Sequence, residues 1–218
     1  MRVGLIGDLH AEDERVLRVL DRFRQERCAL VLSVGDLVDG QGDPNRAIQA
    51  LRDASVLTVA GNHDRWLLGG SMRTLDHAHR AEELDSTSVE FLRSLPPTRE
   101  VDTPFGRILL CHGVGSDDML RLGPHEEGYA LQCLEPLAEI LERDRIDFMI
   151  GGHTHQFMMR RLGQNQFPLA RRELVAVNAS TLARDQESFA VMLDLELRQA
   201  TLFDASRGSQ KIGRLPIP

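Results

Sequence analysis

Short apolar runs alternate with amphipathic segments over the first 60 residues of the chain. Residues 3–6, 29–34 and 56–60 are short and apolar, which is typical of buried strands. Between them, residues 12–27 carry apolar side chains at helical spacing, and residues 44–53 begin with a proline, which the first turn of a helix tolerates. This βαβαβ order predicts a parallel sheet that is covered by helices.

The remainder of the chain is less regular and ends in strand-like runs. Residues 65–83 show poor periodicity and predict a loop or a short helix that could act as a lid. We expect helices at 88–95 and 128–143, the latter kinked or split at Pro136, a hairpin at 101–110, and strands at 147–150, 156–162, 174–178, 189–195 and 200–204. The last four strands are interpreted as a meander, and residues 206–218 as a loosely ordered tail.

These elements predict one domain over residues 1–205, of the α/β class. An α/β first half followed by a mostly β last third suits a second sheet packed on the first, with helices outside both. The chain has 218 residues, 42% hydrophobic and 27% charged, which is enough for a sizeable core and is ordinary for a globular domain. No repeat, low-complexity segment or interdomain linker interrupts it.

Charge and cysteine usage narrow the classes of function. The formal net charge of −7 is only a weak argument against nucleic-acid binding. The local electrostatic potential at a site, rather than the net charge of the whole chain, attracts a phosphate substrate. Cys28, Cys111 and Cys133 are widely spaced and form no CxxC pair, so we expect neither a zinc ribbon nor a disulfide framework. With no signal peptide or membrane-length apolar run, the expected location is cytoplasmic, without a membrane partner.

Five polar motifs follow strand-like runs and contain five of the eight histidines. They are Gly7-Asp8-Leu9-His10, Gly35-Asp36-Leu37-Val38-Asp39, Gly61-Asn62-His63-Asp64, Cys111-His112-Gly113 and Gly151-Gly152-His153-Thr154-His155. Because strand ends meet at one rim of a sheet, we expect these side chains to converge. Carboxylate, amide and imidazole without thiolate favour hard or borderline divalent metals, and the number of candidate ligands predicts two ions.

Each motif is ambiguous when it is taken alone. Asp8 or Asp36 could cap a helix, and residues 62–64 could form a polar turn. His112 could be a hydrogen-bonded core histidine, and the two histidines of the fifth motif could be loop residues. The five motifs together, each at the end of a strand-like run, favour a metal site over these structural alternatives.

The motif set resembles the calcineurin-like metallophosphoesterase superfamily, in particular its bacterial phosphodiesterase-like branch. Its pattern of D-x-H, G-D-x-x-(D/x), G-N-H-(D/E), H and G-H-x-H occurs in order between residues 8 and 155. The resemblance implies a four-layer α/β/β/α sandwich with two mixed β-sheets flanked by helices. It also implies a ligand set: Asp8, His10 and His155 for one metal, Asn62, His112 and His153 for a second, and Asp36 as the bridge.

The resemblance further implies a mechanism and a cofactor. A metal-activated hydroxide would be the nucleophile, His63 would contact the phosphate and protonate the leaving group, and Asp39 would hold His63 charged and oriented. These roles agree with the physical expectation that an imidazolium beside a carboxylate keeps its proton near neutral pH. Mn²⁺ is the favoured ion for mixed oxygen and nitrogen ligation, with Fe, Zn, Co and Ni as alternatives.

Two departures refine the expected activity. Asp39 is followed by Gly40, where related Ser/Thr phosphatases carry a phosphate-clamping arginine, which counts against a protein phosphatase and a dinucleoside tetraphosphatase. His63 is retained, where lipid pyrophosphatases of the superfamily have arginine and some bacterial phosphodiesterases have cysteine. We therefore predict hydrolysis of phosphodiesters, with monoesters as further candidates. The alternatives are a nuclease acting on single strands and a non-catalytic binding module, as in sorting-complex subunits of this fold.

Other polar residues give weaker signals. Arg65 could contact a substrate phosphate, and Trp66 could stack on a base, although packing is the favoured role for Trp66. Residues 115–118 predict an active-site loop. His77, His79 and His125 are expected to be exposed or structural, and Arg160, Arg161, Arg171 and Arg172 to border a solvated hairpin rather than to bind a nucleic-acid backbone. The expected partner is a phosphate ester, with nucleotides and nucleic acids as candidates, and the oligomeric state stays open.

Overall fold

The structure, a computed structural model, describes residues 1–143, 145–207 and 210–217. The helices are α1 (Asp13–Gln25), α2 (Pro44–Asp53), α3 (Asn62–Gly69), α4 (Ser86–Ser94), α5 (Gly128–Gln132) and α6 (Glu135–Arg143), with a 3₁₀ turn at Ala81–Glu83. The strands are β1 (Arg2–Ile6), β2 (Leu30–Ser33), β3 (Leu57–Thr58), β4 (Thr98–Thr103), β5 (Gly106–Cys111), β6 (Phe148–Gly151), β7 (Phe157–Leu162), β8 (Leu174–Ala179), β9 (Phe189–Asp194), β10 (Gln199–Asp204) and β11 (Gln210–Pro216).

The described strands form two mixed sheets. The first has the order β11-β10-β9-β1-β2-β3, in which β1, β2 and β3 are parallel and β9, β10 and β11 are antiparallel to their neighbours. The second has the order β4-β5-β6-β8-β7, with a parallel centre of β5, β6 and β8 and antiparallel edges. The prediction of two mixed sheets flanked by helices is therefore confirmed.

Three buried clusters define the four layers. Alternation along β1 sends Val3 and Leu5 between the sheets and Ile6 towards the helices. The cluster between the sheets includes Val3, Leu5, Leu32, Val34, Ile108, Leu110, Phe148, Ile150, Val175, Val177, Val191 and Leu193. Helices α1, α2 and α4 cover the outer face of the first sheet, and α5 and α6 cover that of the second. Burial of this apolar surface on both faces of each sheet is what fixes the strand positions.

The C-terminal strands depart from the predicted meander. β7 and β8 form an antiparallel pair in the second sheet, whereas β9 and β10 return to the first, so the expectation of one meander was wrong. All four strands carry an apolar signal, although β8 and β9 are almost wholly buried and β7 and β10 only partly. That signal predicts a strand but does not show which sheet receives it.

The expectation of a loosely ordered tail also differs from the structure. Residues 210–216 form β11, which pairs antiparallel with β10 along the edge of the first sheet. An edge strand keeps one side in solvent, so the polar residues Lys211 and Arg214 are tolerated there and hide the strand pattern. Residues 208, 209 and 218 of that segment lie outside the described residues.

The helical predictions are borne out with shifted boundaries. The break between α5 and α6 lies just before Pro136, so that proline occupies the first turn of α6, where it costs no hydrogen bond. Residues 65–83, predicted as a loop or a short helix, begin within α3, whose first residue is Asn62, and continue mostly as irregular backbone after Gly69. Within the described ranges, no helix combines the length and apolar character needed to cross a bilayer.

Phe23 tests the packing of α1 on the first sheet. Its side chain is 1% exposed, and its ring meets that of Phe203 edge-on with centroids 6.5 Å apart. Phe23→Ala is expected to lower the free energy of unfolding by about 3–5 kcal/mol, because the cavity cannot be refilled. Phe105→Ala, at a residue 40% exposed, should change it by no more than about 0.5 kcal/mol. Urea unfolding measures both changes, and an equal loss of unfolding free energy in the two variants would contradict this packing.

Candidate metal centre

The five motifs lie where the carboxyl ends of parallel strands from both sheets meet. Asp8 follows β1, Asp36 follows β2, and Asn62 opens the helix after β3 in the first sheet. His112 follows β5 and His153 follows β6 in the second sheet. The sites of the two sheets therefore share one rim, as the strand order requires.

One group of candidate ligands forms around His10. Its Nε2 atom lies 3.0 Å from Nε2 of His155, and its Nδ1 atom lies 2.7 Å from the main-chain oxygen of Asp39. Ligand atoms of Asp8, Asp36 and His155 lie within 4.8 Å of one another. The side chains that were assigned to a first metal, together with Asp36, are thus brought together.

A second group forms around Asn62. Its Oδ1 atom lies 2.9 Å from Nε2 of His112 and 2.9 Å from Nδ1 of His153. Nε2 of His112 is also 3.3 Å from Oδ2 of Asp36. Asp36 therefore contacts both groups, and the two groups together contain every residue that was predicted to bind metal.

The donor chemistry of both groups fits divalent cations. Nδ1 of His10 lies 2.7 Å from the main-chain oxygen of Asp39, and Nδ1 of His112 lies 2.9 Å from that of Val34, so the tautomer that donates to these oxygens presents the lone pair of Nε2 to a metal. The lone pair of His112 then faces the Oδ1 acceptor of Asn62. Lone pairs that face one another in a buried site repel unless a proton or a cation lies between them.

The local backbone is bent to aim these side chains. Five of the nine candidate residues adopt positive φ, namely His10 (48°), Asp36 (50°), Asp39 (64°), His153 (67°) and His155 (60°). Left-handed backbone is unfavourable for residues with a side chain and is held only where the surroundings demand it. Gly61 is required for another reason, because a Cβ there would overlap the carboxylate of Asp36.

His63 is held beside the metal-ligand groups by two contacts. Its main-chain N–H donates to Oδ1 of Asp36 at 2.9 Å, and its Nδ1 lies 2.8 Å from Oδ2 of Asp39. Nitrogen and oxygen atoms of His63, His10 and Asp36 also lie within 4.8 Å of one another, so distance alone does not separate His63 from the ligands. The contact with Asp39 occupies one ring nitrogen of His63, as main-chain oxygens do for His10 and His112, so the role of His63 as proton donor rather than ligand stays a prediction.

The surroundings shift the pKa values of two buried carboxyl groups, Asp36 and Asp64, in opposite directions. Burial raises the pKa of Asp36, but His112, His10 and His63 outweigh it and hold the pKa below its ordinary value. Burial and the charge of Asp36 raise the pKa of Asp64 to about 7, although the main-chain N–H groups of Gly61 and Leu37 donate to its carboxylate. The centre thus holds ionised Asp36 close to a carboxyl group that resists ionisation.

The His63–Asp39 pair favours the charged forms of both residues. Burial opposes ionisation of Asp39, but hydrogen bonds from His63, Arg73 and the main chain of His79 lower its pKa to about 2. Burial likewise opposes protonation of His63, yet Asp39 and Asp36 raise its pKa. The pair is therefore set up as imidazolium and carboxylate.

Three residues around the site carried no role in the sequence interpretation. Arg73 donates to both carboxylate oxygens of Asp39 at 2.8 Å, and His79 both donates to that carboxylate and accepts from the Asp39 N–H at 2.9 Å. Asp64 belongs to the third motif, so its position was visible although its function as a loop anchor was not. Arg73 and His79 lie in an irregular segment, where no periodicity marks their targets.

The residues that gave weaker functional signals in the sequence lie either beside the metal-ligand groups or away from them. Trp66 packs beside the ring of His63 with centroids 4.8 Å apart, and exposed Arg65 pairs with Asp118. His125 is exposed. Of the four arginines, Arg160 donates to the Glu126 carbonyl, Arg161 pairs with Glu173, Arg172 lies 4.0 Å from Asp147, and Arg171 is exposed. The carboxylates beside Arg161 and Arg172 weaken any basic edge there.

A cleft of about 250 Å³ opens beside the first group of ligands. His10, His63 and His155 line its floor, and its walls come from two irregular segments, residues 76–77 and residues 183–186. Glu12 pairs with Arg184 at 2.7 Å in one wall. Most residues that line the cleft are polar or charged, and both signs of charge are present, which suits a small polar ligand better than a polyanion.

Asp39→Asn should lower the pKa of His63, because it removes the carboxylate that favours the imidazolium. The raised pKa means that protonation of His63 stabilises the fold below the unfolded value of about 6.5, and this contribution is lost as pH rises through the raised value. NMR titration of the His63 ring in metal-free protein measures the shift. Asp118→Asn, which removes a carboxylate that pairs with Arg65, should leave the titration unchanged. An unaltered midpoint in Asp39→Asn would refute the pairing.

Comparisons with known proteins identify the fold and the family of the chain. The chain is 25% identical over 119 residues to the uncharacterized protein MJ0912 of Methanocaldococcus jannaschii, a match that spans 50% of this chain and 48% of that protein. By structure it resembles the phosphoesterase YfcE of E. coli (TM-score 0.60, 19% identity, all of both chains) and a metallophosphoesterase of Sphaerobacter thermophilus (TM-score 0.64, 18% identity, 100% of this chain and 88% of that one). Residues 1–157 match the family model of calcineurin-like phosphoesterases, so the chain belongs to that family.

Proposed function

We propose that this protein is a binuclear, metal-dependent phosphoesterase that hydrolyses phosphodiesters. The observation that carries the proposal is the pair of ligand groups that share Asp36, one around His10 and one around Asn62. Membership of the phosphoesterase family supports a hydrolase. To that activity we add a second metal ion and a preference for diesters.

The contacts within the two groups support an assignment of these residues to two ions. Asp8, His10 and His155 would hold the first ion, Asn62, His112 and His153 the second, and Asp36 would bridge them. When bound, such a pair of ions supplies an acidified water and neutralises charge on phosphoryl oxygens. The set has oxygen and imidazole donors and no thiolate, so Mn²⁺ is the proposed ion.

His63 and Asp39 would complete the reaction at the leaving group. A water oxygen forms the new bond to phosphorus while the bond from phosphorus to the leaving oxygen breaks, and the electron pair stays on that oxygen. His63 lines the cleft and has its Nδ1 bound to Asp39, so Nε2 is the atom that donates a proton to the leaving oxygen. Asp39 keeps that proton on the imidazole until the bond breaks.

The cleft favours a small diester, such as a nucleotide, over a nucleic-acid strand. Its walls include Glu12, Asp76 and Asp185 along with Arg184, so a long polyanion would meet repulsion beside attraction. Nuclease activity is therefore the weaker candidate. A non-catalytic binding module is weaker still, because no member of either ligand group has been replaced.

The test begins with protein stripped by EDTA and assayed with one metal restored at a time. We expect Mn²⁺ to restore cleavage of bis-p-nitrophenyl phosphate and about two ions to bind per chain, as measured by elemental analysis. Cleavage of p-nitrophenyl phosphate alone would move the proposal to monoesters. Folded protein that is silent with Mn²⁺, Fe²⁺, Zn²⁺, Co²⁺ and Ni²⁺ would sink the enzymatic proposal.

Asp36→Asn tests the shared ligand. The change removes the charge that both ions would require, so we expect metal content to fall at both positions and turnover to fall by at least about 100-fold. His125→Ala, at an exposed histidine outside both groups, should retain metal and activity. Loss of one ion with the other fully retained would argue against a bridging carboxylate.

A further inference from the structure

Residues 71–79, here called the strap, pass beside the His63–Asp39 pair and end in contact with it. The strap has little regular structure, and the main-chain bonds within it are long, 3.4 Å for Leu75 to Met72 and 3.2 Å for Ala78 to Leu75. It is attached to Asp39 through Arg73, whose side chain is 15% exposed, and through hydrogen bonds between His79 and Asp39. The position of the strap therefore depends on contacts with Asp39.

Arg73 uses its donors in two directions. Nε donates to the main-chain oxygen of Ser71 at 2.7 Å, and one terminal nitrogen donates to that of His79 at 2.6 Å, so the guanidinium ties the two ends of the strap together. The terminal nitrogens also donate to Oδ1 and Oδ2 of Asp39 at 2.8 Å each. A planar fork bound to both oxygens of a carboxylate fixes its plane as well as its position.

The carboxylate that Arg73 fixes is the one that orients His63. Oδ2 of Asp39 accepts from Arg73 and lies 2.8 Å from Nδ1 of His63, while Oδ1 accepts from Arg73 and from the N–H of His79. Trp66 packs on the ring of His63. With its carboxylate partner immobile and an indole beside it, the imidazole has one orientation, in which Nε2 faces the cleft.

We propose that Arg73 is a positioning residue for His63, acting through Asp39, and that it is needed for substrates whose leaving oxygen must be protonated. The inference rests on the proposed function, because it requires His63 to donate that proton. Arg73 itself donates four hydrogen bonds to Asp39 and the strap and is not among the residues that line the cleft. Its loss would therefore affect proton donation more than phosphate binding or metal content.

The test compares two diesters that differ only in the leaving phenol. Ethyl p-nitrophenyl phosphate releases a phenolate that is stable near neutral pH, whereas ethyl phenyl phosphate releases one whose conjugate acid has a pKa of about 10, as in tyrosine. Arg73→Ala is expected to lower kcat for the phenyl ester at least about tenfold more than for the p-nitrophenyl ester. Bound metal should equal that of wild type.

Two further variants separate positioning from folding. In a His63→Gln background, Arg73→Ala should cause no additional loss on the phenyl ester, because both changes remove the same proton donation. Arg73→Lys keeps the charge without the fork and should show an intermediate selectivity, which also provides the comparison if Arg73→Ala does not fold. Arg80→Ala, at an exposed arginine next to the strap, should behave as wild type.

The outcomes are distinct. Equal losses on the two esters, a lower metal content, or a further loss in the His63→Gln background would overturn the positioning role while leaving the phosphoesterase intact. A wild-type protein that cleaves neither ester with any metal would overturn the proposed function, and the inference with it.

Discussion

The buried negative charge of Asp36 is the constraint on which the rest of the site depends. The residue is 1% exposed, and a carboxylate in such a position must be matched by cations or donors. Groups from both sheets face this charge: the N–H of His63 donates from the first sheet, and Nε2 of His112 in the second lies 3.3 Å from Oδ2, close enough to share a proton or a cation with Asp36. Its main-chain oxygen also accepts from Leu9 and His10. Joining two sheets at one rim is therefore a requirement of charge compensation as much as of apolar packing.

Positioning the groups that compensate this charge requires strained backbone. Left-handed φ at a residue with a side chain costs on the order of 1 kcal/mol, and such residues are concentrated in the motifs, at Asp36, Asp39, His10, His153 and His155. The apolar layer between the sheets and the helices outside them must hold these turns in place. The rigid core thus has a chemical purpose, which is to keep strained loops aimed at one point.

The sequence predicted the parts of the protein whose signals are local. Motif residues such as Asp8 and His155 can be recognised from their residue type and their position after a strand, and the structure brings them together. The contact of Asp39 with Arg73 could not be predicted, because Arg73 reaches it from an irregular strap and only three-dimensional proximity makes the pair. β11 was missed for a similar reason, since an edge strand tolerates residues such as Lys211 that obscure its pattern. Long-range pairing, rather than local propensity, is the information that sequence pattern lacks.

The backbone also explains why no arginine follows Asp39. A Cβ at Gly40 would overlap the main-chain oxygen of His10, so this turn has no room for a phosphate-clamping side chain at that position. The arginine nearest in role, Arg73, binds Asp39 instead. Within the proposed function, the metal ions and His63 would then recognise the phosphoryl group. Arg73 would instead orient the proton donor. Such a site would discriminate between substrates more by their leaving group than by their phosphate charge.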